Sequence, residues 1–195
     1  MPVVTALRVR GTRVVVELDG SPWRTLPVSA AAEAGLIVGL ELDRERARTL
    51  GRALRRQRAR EAAVRALSRR EHSQASLAAR LDRAGVRAQD RDAALETAVR
   101  AGWVDDARFA ETRAGTLVAH GAGDRVVLAD LRRHGVDDAT AQAVLETIEP
   151  EHARVSRAVE ARGVSLRTLR YLAARGFSEE SLEPLVAELE TRALG

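Results

Sequence analysis

Two Val- and Thr-rich runs, Val3 to Arg10 and Arg13 to Leu18, flank Gly11-Thr12, the separation of a two-residue hairpin turn. A third short run, Trp23 to Val28, follows Asp19-Gly20 and Pro22, so the front of the chain is read as a small antiparallel sheet. Ser29 is placed to cap a short Ala-rich helix ending at Gly35. Leu36-Ile37-Val38 then reads as one more extended stretch, and the β-part ends near Leu42.

From Asp43, a good N-cap, the periodicity changes to that of a helix, with Ala47, Leu50 and Leu54 on one side and Val64 and Leu67 further along. Between them, Arg55 to Arg60 offers no apolar stripe, and a helix polar all round usually crosses solvent between two cores. A linker helix is therefore expected there. Further on, Leu81 to Val86, Leu131 to Val136 and Leu172 to Phe177 share one pattern: Leu, three residues, Gly, then an apolar residue. An apolar position recurs ten residues after each Gly, at Leu95, Leu145 and Val186. Leu77 and Val127 precede two of the leucines by one turn, whereas the third copy has Thr168 there with Leu169 beside it. Gly85, Gly135 and Gly176 read as left-handed C-caps, each between a short helix and a second one, with a further helix ahead near 60–71, 105–119 and 151–162. The fold class is mainly α: three tandem three-helix repeats forming an elongated curved array, preceded by a small antiparallel β N-terminal domain. The expected divisions are 1–42 for the β-rich domain, 43–60 for the basic linker helix, and 61–104, 105–149 and 150–195 for the repeats.

Composition narrows the chemistry. Among 195 residues there is no Cys and no Lys, which removes thiol nucleophiles, cysteine-ligated metals, Schiff-base lysines and a Walker-A loop. Aromatics are 3%, so the core must be built from Leu, Val and Ala. The opening residues lack the order of a signal peptide, and no run is apolar enough to span a membrane, so a cytoplasmic protein is expected. The net charge of +4 is unevenly placed, because residues 44–70 hold 11 Arg against Glu45 and Glu61. So dense a basic segment is expected to meet phosphate or an acidic protein surface.

Sharper chemical readings fare poorly. Glu71-His72-Ser73 juxtaposes an acid, a base and a hydroxyl, but adjacent residues project apart, and Ser73 reads as a cap for the helix that follows. Asp105-Asp106, Asp137-Asp138 and Glu179-Glu180 lie where helices begin and suit the free N–H groups there. His72, His120, His134 and His152 lack a metal-binding spacing, Gly121-Ala122-Gly123 is a weak phosphate-loop signal, and Trp103, Phe109 and Phe177 are expected in cores. No catalytic residue, metal or cofactor is expected.

The Arg69-Arg70-Glu71-His72-Ser73 segment, the Trp103-Val104-Asp105-Asp106 stretch continuing to Phe109-Ala110, and the Leu131 to Val136 turn resemble the RecX family of recombinase regulators. The likeness covers about residues 60–190, with Ser76 and His134 departing from the residue types common in that family. It implies a non-enzymatic, monomeric protein that binds the RecA filament along its groove and inhibits filament growth, ATP hydrolysis and strand exchange in DNA repair and recombination. Single- or double-stranded DNA is a further contact that the resemblance leaves open. The contact residues expected on that basis and from the charge run are Arg52, Arg55, Arg56, Arg58, Arg60, Arg69, Arg70, His72, Arg132 and Arg133. A direct DNA-binding protein or transcriptional repressor, gripping duplex through the Arg-rich helix and the helix-turn-helix-like repeats, is the alternative.

Overall fold

The computed structural model describes residues 1–194. Three strands, β1 (Val4–Arg10), β2 (Arg13–Leu18) and β3 (Ser21–Pro27), form one antiparallel sheet in the order β1-β2-β3, with Val9 opposite Val14 and Leu26 opposite Val14. A short helix, α1 (Val28–Glu33), and a long one, α2 (Arg44–Leu67), follow. The remaining helices are α3 (Gln74–Arg83), α4 (Ala88–Arg100), α5 (Asp106–Ala119), α6 (Asp124–Arg133), α7 (Asp138–Thr147), α8 (Glu151–Arg162), α9 (Leu166–Ala174) and α10 (Glu179–Leu194). The chain divides into two compact units, the first made of residues 1–70 and 77–103, the second of residues 71–76 with the chain from Val104 onward.

In the first unit Val4, Val14, Val16 and Leu26 turn one sheet face onto Ala31, Leu36 and Leu50, sealing a small core. Ser29 does not cap α1. The helix starts earlier, at Val28, because that residue's N–H already donates to Thr12 O (3.0 Å), so the hairpin turn does the capping and Ser29 stays exposed. Leu36 is buried as expected, but Ile37 and Val38 are exposed in a turn, and only Val3 and Glu41 pair as a bridge beside the sheet.

Asp43 caps α2, its Oδ1 accepting from Arg46 N at 2.7 Å. Residues 55–60 do not cross open solvent, and the boundary expected at 60 falls inside a continuous helix. Leu50 and Ala53 are buried near the start, where α1 packs, and Ala59, Ala63 and Ala66 are buried further along on the nearly opposite face, where α4 packs, so the two ends of the helix meet different neighbours. Alanine is the apolar stripe here. It buries little area per residue but allows close helix packing, matched on α4 by the buried Ala94 and Ala98.

The three glycine turns form as expected. Each glycine has φ between 74° and 82°, and the N–H of the following residue reaches back to the leucine carbonyl, as in Val136 N to Leu131 O at 3.1 Å. This double closure is the Schellman arrangement, completed by Gly135 N to Arg132 O at 2.9 Å. The repeat of buried positions falls nine residues after each glycine, at Ala94, Val144 and Leu185, one earlier than the pattern suggested, and Val186 is exposed. Thr168 takes the place of Leu77 and Val127 in full: it is buried, and its hydroxyl donates to Gly163 O at 2.8 Å.

Within the second unit, α5 to α7 enclose Phe109, Val127, Leu131, Val136 and Val144, while α8 to α10 enclose Val155, Leu172, Phe177, Leu182 and Leu185. Trp103, expected in a core, is 54% exposed, because Val104 takes the interior position at the start of this unit. Glycines seat neighbouring segments. A Cβ on Gly135 would come within 2.3 Å of Ala75 Cβ, and one on Gly123 would lie 2.3 Å from Phe177 N. Gly123 N donates to Arg175 O and Arg125 N to Gly176 O, so the start of α6 lies directly on the third glycine turn.

Candidate partner-binding surface

The basic helix is less bare than its sequence suggests. Glu33, from α1, accepts from both Arg56 (3.0 Å) and Arg60 (3.2 Å), and Asp90, from α4, faces Arg55 at 3.5 Å. These carboxylates lie outside the run 44–70, so the fold brings in countercharge that a window along the chain does not count. Arg52 is held by Thr49 Oγ1 (2.9 Å) and Arg65 by Glu61 (3.8 Å). Arg58, Arg69 and Arg70 are exposed and face no carboxylate within 4.0 Å among the described residues.

A cleft of about 400 Å³ opens where α2 passes the Gly85 turn. Its floor is Ala59, Ala62, Gly85 and Val86, and its rim carries Arg55, Arg58, Arg65 and Arg87, with Asp90 as the single acid. The alanine stripe explains the concavity, since larger side chains would fill it. Arg87 precedes α4, whose first turn receives no side-chain cap. This residue lay outside the basic run, and only the repeat register, which puts it two places after the turn glycine, could have flagged it. The arrangement offers a cluster of guanidinium groups to an oxyanion, phosphate or carboxylate.

The other expected contacts belong to the second unit. Arg132 bridges to Asp138 at 2.6 Å, and Arg133 stands 3.7 Å from Asp130 with most of its side chain in solvent. His72 is an interior residue, 5% exposed, its Nδ1 3.0 Å from Ser76 Oγ, and it presents no surface to a partner. Ser73 caps α3 as expected, accepting from Ser76 N at 3.1 Å, and its hydroxyl donates to His134 O. Glu71 pairs with Arg108 at 3.1 Å. Asp105 and Asp137 cap α5 and α7, accepting from Arg108 N (3.0 Å) and Thr140 N (2.8 Å).

Two buried charge networks were not visible in the sequence. Arg113 grips Asp130 through two bonds of 2.7 and 3.1 Å, and this pairing, opposed by burial, holds the Asp130 carboxyl below its ordinary range. The second joins α6, α8 and α10. Glu151 Oε1 accepts from Asp124 N (2.7 Å) while Oε2 accepts from Ser178 N (3.0 Å), so one carboxylate serves two helix starts. Burial pushes Glu151 up, but the Ser178 hydroxyl and the two backbone N–H groups outweigh it and leave the carboxyl below its usual range. Beside it the buried Arg154 donates to Ala122 O (2.8 Å), Glu149 O (3.0 Å) and Asp124. Among the described residues no group of three or more His, Asp or Glu could hold a metal ion, and no helix is long and apolar enough to cross a membrane.

The family model described as RecX, second three-helix domain, matches residues 105–145, the span of α5 to α7. A regulatory protein RecX of Halorhodospira halophila is 34% identical over 138 residues, covering 66% of this chain and 86% of that protein. The chain belongs to the RecX family. A RecX of Stenotrophomonas maltophilia is 36% identical over 126 residues, 60% of this chain and 77% of its own length. A crystal structure of regulatory protein RecX superposes with a TM-score of 0.80 at 18% identity, covering 96% of this chain and all of that one. RecX from Lactobacillus salivarius gives 0.58 at 17% identity over 70% of this chain and 97% of its own. At such low identity these structures speak for the fold, helical behind a three-stranded sheet, and the curated RecX relatives are named as regulatory proteins.

Proposed function

We propose that this chain binds a RecA recombinase filament along its groove and restrains filament growth, ATP hydrolysis and strand exchange, acting as a cytoplasmic monomer that performs no chemistry itself. Membership of the RecX family supports the regulatory part. The observation that carries the binding part is the cleft beside the Gly85 turn, where four arginines face a single acid. A filament regulator works by occupancy, for which an anion-binding rim is sufficient and a catalytic constellation is not required. We read the helices from 61 onward as three repeats, 61–104, 105–149 and 150–195, serving as the platform.

Direct duplex reading as the main role is less well supported. A groove-reading helix offers polar side chains from its first turn to base edges. Here Asp105 and Asp137 lie at such helix starts and are already engaged in capping. The test is RecA ATP turnover on single-stranded DNA with increasing amounts of this protein. Inhibition by the parent, weakened by Arg58→Gln with Arg87→Gln, is the expected result. Unchanged turnover at excess protein refutes the proposal.

A further inference from the structure

A second basic region escaped the charge reading because its arginines are spaced apart. Residues 152–178 contain Arg154, Arg157, Arg162, Arg167, Arg170 and Arg175 against one acid, Glu160. The fold sorts these six. Arg154 is buried in the Glu151 network, Arg157 forms two bonds to Glu149 (2.9 and 2.7 Å), and Arg175 donates to His120 O at 2.8 Å. Arg162, Arg167 and Arg170 are left, all exposed, with no carboxylate within 4.0 Å among the described residues.

Two of these three line a cleft of about 380 Å³ between the end of α8 and the start of α9, together with Ser165, Thr168 and Tyr171. No acid lines it, in contrast to the cleft of the first unit, where Asp90 faces Arg55. The Arg162 guanidinium lies 3.8 Å from the centre of the Tyr171 ring, so the aromatic face holds it in place while its N–H edge stays available. The Ser165 and Thr168 hydroxyls are already committed. Thr168 donates to Gly163 O (2.8 Å), so at 3.0 Å the Ser165 hydroxyl is the donor to Thr168 Oγ1, and Ser165 also accepts from Thr168 N at 3.2 Å. The side-chain donors left over in the cleft are the guanidinium N–H groups and the Tyr171 hydroxyl, and the group that complements them is a compact oxyanion with several acceptor oxygens.

We propose that the cleft formed by Arg162, Arg167, Ser165, Thr168 and Tyr171 is a phosphate-binding site, with Arg162 as the pre-oriented fork and Arg167 as the second clamp. The phosphate is that of a nucleic-acid strand or of a free nucleotide. The site stands on its own residues and does not depend on the filament reading.

The test uses the full chain and fluorescence anisotropy of a labelled oligothymidylate, with ADP and inorganic phosphate as competitors and polyglutamate as the carboxylate control. The variants are Arg167→Gln, which leaves the Arg162 and Tyr171 stack in place, and Arg162→Gln with Arg167→Gln. Circular dichroism melts check that both fold. If a strand is the ligand, the double variant binds more weakly and its plot of log affinity against log salt is flatter by about 1.4, from about 0.7 per lost contact on single strands. If a free nucleotide is the ligand, ADP binds the parent directly, measured by calorimetry, and that heat is lost in both variants. Strand and nucleotide binding that are both absent, or unchanged in the two variants, overturn the proposal. So does polyglutamate competing as well as phosphate. Were Arg162 only a brace for Tyr171, its replacement would lower the melting temperature and leave binding untouched.

Discussion

Gly135 and Gly85 occupy the same place in successive repeats and share φ of 74°, yet replacing each by alanine should have different consequences. At Gly85 a Cβ meets nothing within 4 Å, so Gly85→Ala adds only the strain of an L-residue in the left-handed region, about 1 to 2 kcal/mol. At Gly135 the same strain applies, and the new methyl falls 2.3 Å from Ala75 Cβ, well inside any normal contact. Overpacking of that kind costs about 1 to 3 kcal/mol more. The partner can be removed, because without the Ala75 methyl the nearest atom to the new Cβ is Ala75 Cα at 3.8 Å, an ordinary contact. Ala75→Gly by itself costs about 0.5 to 1 kcal/mol of helix stability. The double variant should therefore be more stable than the sum of the single changes implies, by about the clash energy. Urea denaturation followed by circular dichroism gives all four corners of the cycle. Equal losses at Gly85 and Gly135, or a coupling energy near zero, refute the view that this turn is a seat for the start of α3.

Glu151→Gln should cost on the order of 1.5 to 3 kcal/mol, because an amide has one acceptor oxygen for two helix starts, and equilibrium unfolding measures it. The Glu151 carboxyl is lowered in the folded protein, so its stabilisation is present above the unfolded value of about 4.3 and disappears as pH falls through the folded one. Melts from neutral pH into acid should thus show a smaller loss for Glu151→Gln than for the parent. Arg113→Gln leaves the buried Asp130 without its two strongest hydrogen bonds and should destabilise by about 1 to 3 kcal/mol, whereas Arg133→Gln, at 3.7 Å and exposed, should change the melt little. Replacing Arg55, Arg56, Arg58 and Arg60 together by Gln should leave a folded protein weakened by on the order of 1 kcal/mol, since Glu33 loses both partners and Asp90 one, and an unfolded product would contradict the reading of these pairs as mostly surface interactions.

Local rules carried the reading of this chain well where one residue decides the outcome by itself. Asp43, Asp105 and Asp137 cap because a short carboxylate at a helix start has a donor within its own turn. The glycine turns were legible because few other residues tolerate that φ. Failures came where the deciding partner is distant. Alanines on α2 looked neutral until α4 lay against them, and the Arg-rich run looked unpaired until Glu33 and Asp90 arrived from elsewhere. Of the candidate contacts, His72 proved interior although its neighbours Arg69 and Arg70 are exposed, since no periodicity distinguishes a buried polar residue in a turn. Arg87, Arg162 and Arg167 are distant in sequence from the basic run, and only folding shows that each borders a cleft.

The sharing of Glu151 between α6 and α10 sets a rule for dissection of the protein. The stretch 105–145 is recognisable by itself, yet the carboxylate that completes the start of its middle helix lies beyond its end. A fragment closed at Ile148 would keep the Phe109 and Leu131 core but leave Asp124 N without its acceptor and the Gly123 surface bare. Such a piece should show early amide exchange along the first turn of α6, and extending it through α10 should restore protection in one step. Sequence boundaries here separate recognisable patterns, whereas the compact unit is larger and takes in residues 71–76 as well as the chain from Val104 onward.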